Sequence, residues 1–196
     1  MKIKREFYLR SALEVAPELL GLILVHKRQE GITKGKIVEV EAYLGPLDPA
    51  AHSYRAPRSS RTIIQYGEGG YGYIYLIYGM YYCMNIVTNE IEIPEVVLIR
   101  ALEPVDGIDL MKIRRGTDKI KNLCNGPGKL CQAMGIDKSL YGVDLCKEIL
   151  YLEQPKKKEL IEVETSKRIN IDYAGEAKDY PFRYTIKDNP FVSRKK

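Results

Sequence analysis

The chain has 196 residues, of which 45% are hydrophobic and 29% charged; that suits one full core over 1–196 and excludes disordered and fibrous classes. No apolar run approaches the ~20 residues of a membrane span, and Met1-Lys2-Ile3-Lys4-Arg5 leads into mixed polar sequence instead of a secretory segment, so a cytoplasmic protein is expected. A net charge of +5 with a pI near 8.9 favours an anionic partner without identifying it.

In chain order, Ser11-Ala12-Leu13-Glu14 fits a capping box, and Ala12, Val15, Ala16, Leu19 and Leu20 recur at helical spacing before Gly21. Leu22 to His26 reads as a strand, Arg28 to Gly35 as a charged turn, and Lys36 to Tyr43 as a second strand. Within that strand, period-two alternation places Val38, Val40 and Ala42 on one face and Ile37, Glu39, Glu41 and Tyr43 on the other. Glu41 and Tyr43 then sit about 6.5 Å apart on one side. A carboxylate beside an aromatic plate suits hydrolysis of a bond to a flat base; the same pattern also fits two carboxylates on a solvated sheet face.

From Gly45 to Gly70 the chain is rich in Pro, Gly, Ser and Arg, with Pro46, Pro49 and Pro57 beside Arg55, Arg58 and Arg61. So long a loop is either functional, with its cations on phosphate, or solvated and mobile. Tyr71 to Thr88 reads as two strands around Tyr78-Gly79, with Tyr71, Tyr73, Tyr75 and Ile77 on one face. Tyr78 at such a tip could wedge between base pairs, although tyrosine is also a common strand former at half-buried positions.

Glu95 to Leu102 reads as a buried strand, followed by short helices at Gly107 to Arg115 and Gly128 to Met134. Asn125-Gly126-Pro127-Gly128-Lys129 sets free N–H groups at a helix start next to a cation, which is either a phosphate seat or a plain turn. Short extended pieces follow, with a charged linker at Gln154 to Glu159 and a basic end, Arg194-Lys195-Lys196. Cys83, Cys124, Cys131 and Cys146 form no CxxC pair, and only His26 and His52 could join them around a metal, so reduced thiols without chemistry are expected. The element order predicts an α+β domain with a curved, mainly antiparallel sheet, short flanking helices and a protruding β-hairpin.

The sequence resembles the 3-methyladenine (alkyladenine) DNA glycosylases of the mammalian type, a family with bacterial members. The resemblance spans nearly the whole chain and rests on Leu19-Leu20-Gly21, Ile37 to Pro46, Asp48 to His52, Tyr73 to Met80, Asn85, Leu98 to Pro104 and Asn125 to Cys131. It implies that Glu41 activates a water, helped by Arg100 and by the backbone carbonyl of Ile169. It further implies that Tyr43, His52 and Tyr75 wall the pocket of a flipped base and that Asn85 faces the purine minor-groove edge. By the same resemblance Tyr78 replaces the base in the stack, with Met80, Tyr81, Arg61 and Lys129 near the DNA. The chain departs from the family pattern at Thr62, at Gln65-Tyr66 where a Met-Phe pair is common, and at Asn170 where a glycine is expected.

The resulting expectation is a monomeric, monofunctional hydrolase working without metal or cofactor on double-stranded DNA that contains damaged purines. A non-catalytic module that binds distorted DNA would need the hairpin and basic loop but not Glu41. A nucleosidase or RNA-base hydrolase is a second rival: the wedge and the dispersed cations favour a polymer, and duplex DNA over RNA rests chiefly on the resemblance.

Overall fold

Ser11 begins the first substantial helix: its side chain accepts from the Leu13 N–H while the Glu14 carboxylate accepts from the Ser11 N–H. This capping box satisfies donors that the first helical turn would otherwise leave orphaned. In the computed structural model, which describes residues 1–55, 58–157 and 159–193, a short helix α1 (Arg5–Tyr8) precedes α2 (Ala12–Leu19). The stripe Ala12, Val15, Ala16 and Leu19 is wholly buried, as the spacing predicts.

Eight strands follow: β1 (Ile23–Arg28), β2 (Gly31–Tyr43), β3 (Gly72–Ile77), β4 (Tyr81–Thr88), β5 (Glu95–Asp106), β6 (Leu150–Glu153), β7 (Val163–Ser166) and β8 (Arg183–Ile186). Helices α3 (Ile108–Arg115) and α4 (Pro127–Met134) come between β5 and β6. One open sheet runs β3-β4-β5-β2-β1-β6, with β8 paired to the far half of β2 and β7 to β8. Every pairing is antiparallel, so the architecture is the α+β one anticipated. No helix among the described residues is long and apolar enough to cross a membrane.

Two boundaries differ from the sequence expectation. Arg28 pairs directly with Gly31, so the turn is Gln29-Glu30 alone, and residues 31–36 belong to β2. Their backbone pairs with β1, and β5 likewise runs on to Asp106 because Lys34 to Lys36 pair with it on the other side. The linker around residue 158, Pro57 and the basic end 194–196 fall at least partly outside the described residues.

Register explains how the sheet carries a core on one face and a site on the other. Ala42, Val97 and Ile86 form one cross-strand row through β2, β5 and β4, and all three join the main core with α2, α4 and Met111. The adjacent row, Glu41–Leu98–Asn85–Tyr73, crosses four strands and faces the opposite way. Alternation fails at one place: the β2–β5 register is irregular on both sides of Glu39. Ile37 consequently joins the core cluster with Val40 and Ala42, rather than sharing a face with Glu39 and Glu41, while Val38 is buried outside that cluster.

Gly107 links β5 to α3 with φ +69°, and a Cβ there would lie 2.3 Å from the Ile32 carbonyl oxygen. A side chain is opposed by both the left-handed backbone and fixed main chain. Gly107→Ala is therefore expected to lower unfolding free energy by more than about 1 kcal/mol, read from urea denaturation.

Candidate active site

Both strand carboxylates are buried, with no side-chain exposure at Glu39 or Glu41. The solvated-face reading is thereby corrected: neither can be charged there without partners. β5 supplies Arg100, whose Nε donates to Glu39 Oε1 at 2.9 Å and whose Nη1 donates to Glu41 Oε2 at 3.3 Å. β8 supplies Arg183, which donates to Glu39 Oε1 at 2.8 Å, and the Ser193 N–H and hydroxyl complete that cage at 2.6 and 2.8 Å. Burial pushes the Glu39 carboxyl up, but Arg100, the Ser193 N–H and Arg183 more than offset this and hold it below its ordinary value.

Glu41 is held differently. The Tyr43 hydroxyl donates to Oε2 at 2.9 Å and the Ile169 N–H donates to Oε1 at 2.7 Å. Ile169 thus meets the carboxylate through its amide. Burial and the adjacent Glu41 raise the Tyr43 phenol well above its usual range, so it remains a donor. Asn170 follows with φ +60°, a left-handed conformation that glycine adopts freely and asparagine tolerates. The departure from glycine at this position is therefore compatible with the loop.

Beside these groups opens a pocket of about 530 Å³. Tyr43, His52, Tyr75, Asn85, Arg100 and Ile169 all line it, so the predicted pocket set converges. Glu41 is not itself on the surface of the pocket; it lies behind Tyr43, Arg100 and Ile169, which bond to it. The His52 ring packs edge-on against Tyr75 at 4.7 Å, and its Nδ1 is 2.8 Å from the Tyr73 hydroxyl. Burial of the ring, with the Arg61 cation nearby, pushes His52 down to about 4, so the imidazole is neutral at pH 7. The Asn85 amide donates to the Tyr73 carbonyl at 3.1 Å.

The hairpin rises at the rim. Tyr78 and Gly79 have φ +53° and +67°, and the Met80 N–H donates to the Ile77 carbonyl, giving the doubly left-handed turn that matches strand twist. Tyr78 is 74% exposed at the tip and Met80 69%, with Tyr81 also exposed. An aromatic residue at positive φ is a strained choice, which marks the tip as a place where side-chain identity matters. Tyr81 packs on the start of α4, where a Cβ on Gly128 would lie 2.9 Å from its own Cβ. Lys129 is exposed beside it and donates to Asn125 Oδ1. Arg61 stacks over Tyr75 at 4.9 Å while staying exposed.

Sequence reasoning missed a second buried ion pair. Arg168 grips Asp48 through both terminal nitrogens at 2.5 and 2.8 Å, donates to the Ala42 carbonyl, and stacks on Tyr43 at 4.7 Å. Asp48 lay within a resembling segment, but no local signal links it to an arginine 120 residues away. Gln65, Tyr73, Cys83 and Tyr173 also line the pocket without having been assigned roles.

A family model described as methylpurine-DNA glycosylase matches residues 6–190. The chain belongs to the methylpurine-DNA glycosylase family. Relatives of the chain include a protein of Clostridium novyi (strain NT), 52% identical over 99% of each chain. Another is a protein of Alkaliphilus oremlandii (strain OhILAs), 51% identical over the full length of both. A third, from Bacillus cereus (strain ATCC 10987 / NRS 248), is 49% identical over the full length of both. Each carries a provisional name as a 3-methyladenine DNA glycosylase.

Removing Glu39 would leave Arg100 and Arg183 buried without their shared carboxylate, a change that typically costs about 3–5 kcal/mol. Glu39→Ala is expected to destabilise by that order in urea titrations. Because the Glu39 pKa is lowered on folding, its contribution is present above the ordinary value of 4.5 and is lost as pH falls through the lower folded value. The acid limb of a stability–pH curve should accordingly flatten in the variant.

Proposed function

We propose that this chain is a monofunctional DNA glycosylase that extrudes an alkylated purine from duplex DNA and hydrolyses its bond to deoxyribose. The observation that carries the reading is Glu41, held by three donors behind a tyrosine-walled pocket whose rim bears an exposed aromatic hairpin tip. A pocket of about 530 Å³ is of small-molecule size, suited to one base and not to a duplex.

A carboxylate offers roughly four lone-pair directions. Tyr43 and Arg100 occupy those of Oε2 and the Ile169 N–H one on Oε1, leaving Oε1 to receive a proton from water. The attacking water bonds through oxygen to C1′ as the C1′–N bond breaks; its proton passes to Glu41 and the bonding electrons leave with the base. Alkylation at N3 or N7 makes that base cationic, so departure needs no strong acid. The Glu41 charge also stabilises the positive character that develops on the sugar. The product is an abasic site.

Extrusion costs a few kcal/mol, least for a damaged base, and an intercalating residue fills the gap left in the stack. Tyr78 takes that role, flanked by Met80 and Tyr81, while Arg61 and Lys129 contact phosphate. Asn85 stands against the minor-groove edge of the purine, where it disfavours the exocyclic amine of guanine. One domain acting on one nucleotide suffices as a monomer.

Glu41→Gln keeps the shape but cannot take a proton: alkylated duplex should still bind, while release of 3-methyladenine falls to background. Excision at the parental rate would refute the role of Glu41. The wild-type protein should generate alkali-labile purine sites in methylated DNA, which a non-catalytic binder cannot do. Tyr78→Ser should reduce the fluorescence change of a reporter base paired in a lesion duplex by several-fold, and an unchanged signal would rule out the wedge.

A further inference from the structure

Arg100 divides its guanidinium between two carboxylates, Nε on Glu39 Oε1 and Nη1 on Glu41 Oε2. Nothing in that pairing by itself keeps the division in place. A guanidinium and a carboxylate frequently settle into a bidentate pair with two parallel N–H···O bonds. Arg100 would reach that arrangement by turning wholly to Glu39, at the expense of Glu41. For this, Glu39 must offer both of its oxygens.

The two oxygens are unequally occupied. Oε1 accepts from Arg100, Arg183 and the Ser193 hydroxyl at 2.9, 2.8 and 2.8 Å. Oε2 accepts from one donor among the described residues, the Ser193 N–H at 2.6 Å. That N–H is delivered by a fixed turn. After β8 the Asn189 N–H donates to the Ile186 carbonyl, while the Asn189 side chain donates to Glu103 on β5 and accepts from the Phe191 N–H. Because the Glu39 side chain has no exposure, bulk water cannot replace a lost donor. An emptied Oε2 would be satisfied only by turning to a neighbouring N–H, and Arg100 supplies the nearest choice.

We propose that the main-chain N–H of Ser193 is a positioning group for the reaction: by holding Glu39 Oε2 it keeps Arg100 shared between the two carboxylates, and so keeps Glu41 oriented behind the pocket. The Ser193 hydroxyl is secondary, since Oε1 retains two arginines without it. The consequence for excision rests on the reading of Glu41 as the group that receives the proton; the sharing of Arg100 does not.

Variants separate the N–H from the side chain. Ser193→Ala and Ser193→Gly keep the N–H and should lose less than about threefold in single-turnover release of 3-methyladenine from duplex DNA at saturating enzyme. Ser193→Pro removes the N–H and should lose about tenfold, the scale of one hydrogen bond to a charged group, with the affinity for lesion duplex unchanged. An ester in place of this one peptide bond, made by incorporating the α-hydroxy analogue of serine at position 193, removes the N–H without the proline ring and should reproduce the loss. On a Glu39→Gln background neither change should cost more, which separates an effect through the carboxylate from a packing change.

Crystal structures give a readout independent of activity. Wild type should show Arg100 on both carboxylates, and the ester or Ser193→Pro protein should show it paired with both oxygens of Glu39 and withdrawn from Glu41. Arg100 still on Glu41 without the Ser193 N–H overturns the proposal. So do losses in Ser193→Ala and Ser193→Gly as large as in the ester, or an equal loss on the Glu39→Gln background. If Glu41→Gln excises at the parental rate, the reading of Glu41 fails, while the crystal structures still decide what holds Arg100.

Discussion

Arg100 bridges two carboxylates that the sheet buries completely, and much of the molecule is arranged around keeping that triad together. Charged groups removed from water are tolerated only with close opposite charge and satisfied hydrogen bonds. Glu39 meets the requirement by gathering Arg100 from β5, Arg183 from β8 and Ser193 from the C-terminal segment, which ties β8 and the chain end to the middle of β2. The register irregularity beside Glu39 falls at this place. Since Glu39 has its own arginine in addition, Arg100 can reach on to Glu41 and fix the second carboxylate.

The second clamp, Arg168 on Asp48, works on the loops. It joins the segment after β2 to the segment that presents Ile169, and it stacks on Tyr43 while donating to the Ala42 carbonyl behind it. Two pocket tyrosines thus have guanidinium groups over their rings, Arg168 on Tyr43 and Arg61 on Tyr75. Such stacking orients flat side chains without filling the pocket between them. Of the 45–70 loop, Asp48, Ser53, Thr62 and Gln65 are buried, and Ala50, His52 and Gln65 line the pocket.

Features set by local chemistry were legible in the sequence. The capping box at Ser11, the left-handed turn at Tyr78-Gly79 and the helices after Gly107 and Gly126 each depend on a few adjacent residues. Strand limits were less so: residues 31–35 look like a turn by composition and become strand because β1 and β5 pair with their backbone. Alternation puts Ile37 on the face of Glu39 and Glu41, and the register irregularity beside Glu39, which alternation cannot reveal, turns it to the core.

The sequence by itself determined the α+β plan, the carboxylate strand, the tyrosine hairpin and the family to which these motifs belong. Tertiary structure alone decided which carboxylate is caged by two arginines and which lies behind the pocket. It also decided that the Ile169 amide meets Glu41 and that Asp48 pairs with Arg168. The physical reason is range: caps and turns are fixed within a few residues, whereas these charges find one another across 59 to 144 residues of chain. Such pairings are settled only when the sheet register brings β2, β5 and β8 side by side. Glu39 and Glu41 begin as equivalent members of one strand, and their surroundings make them different.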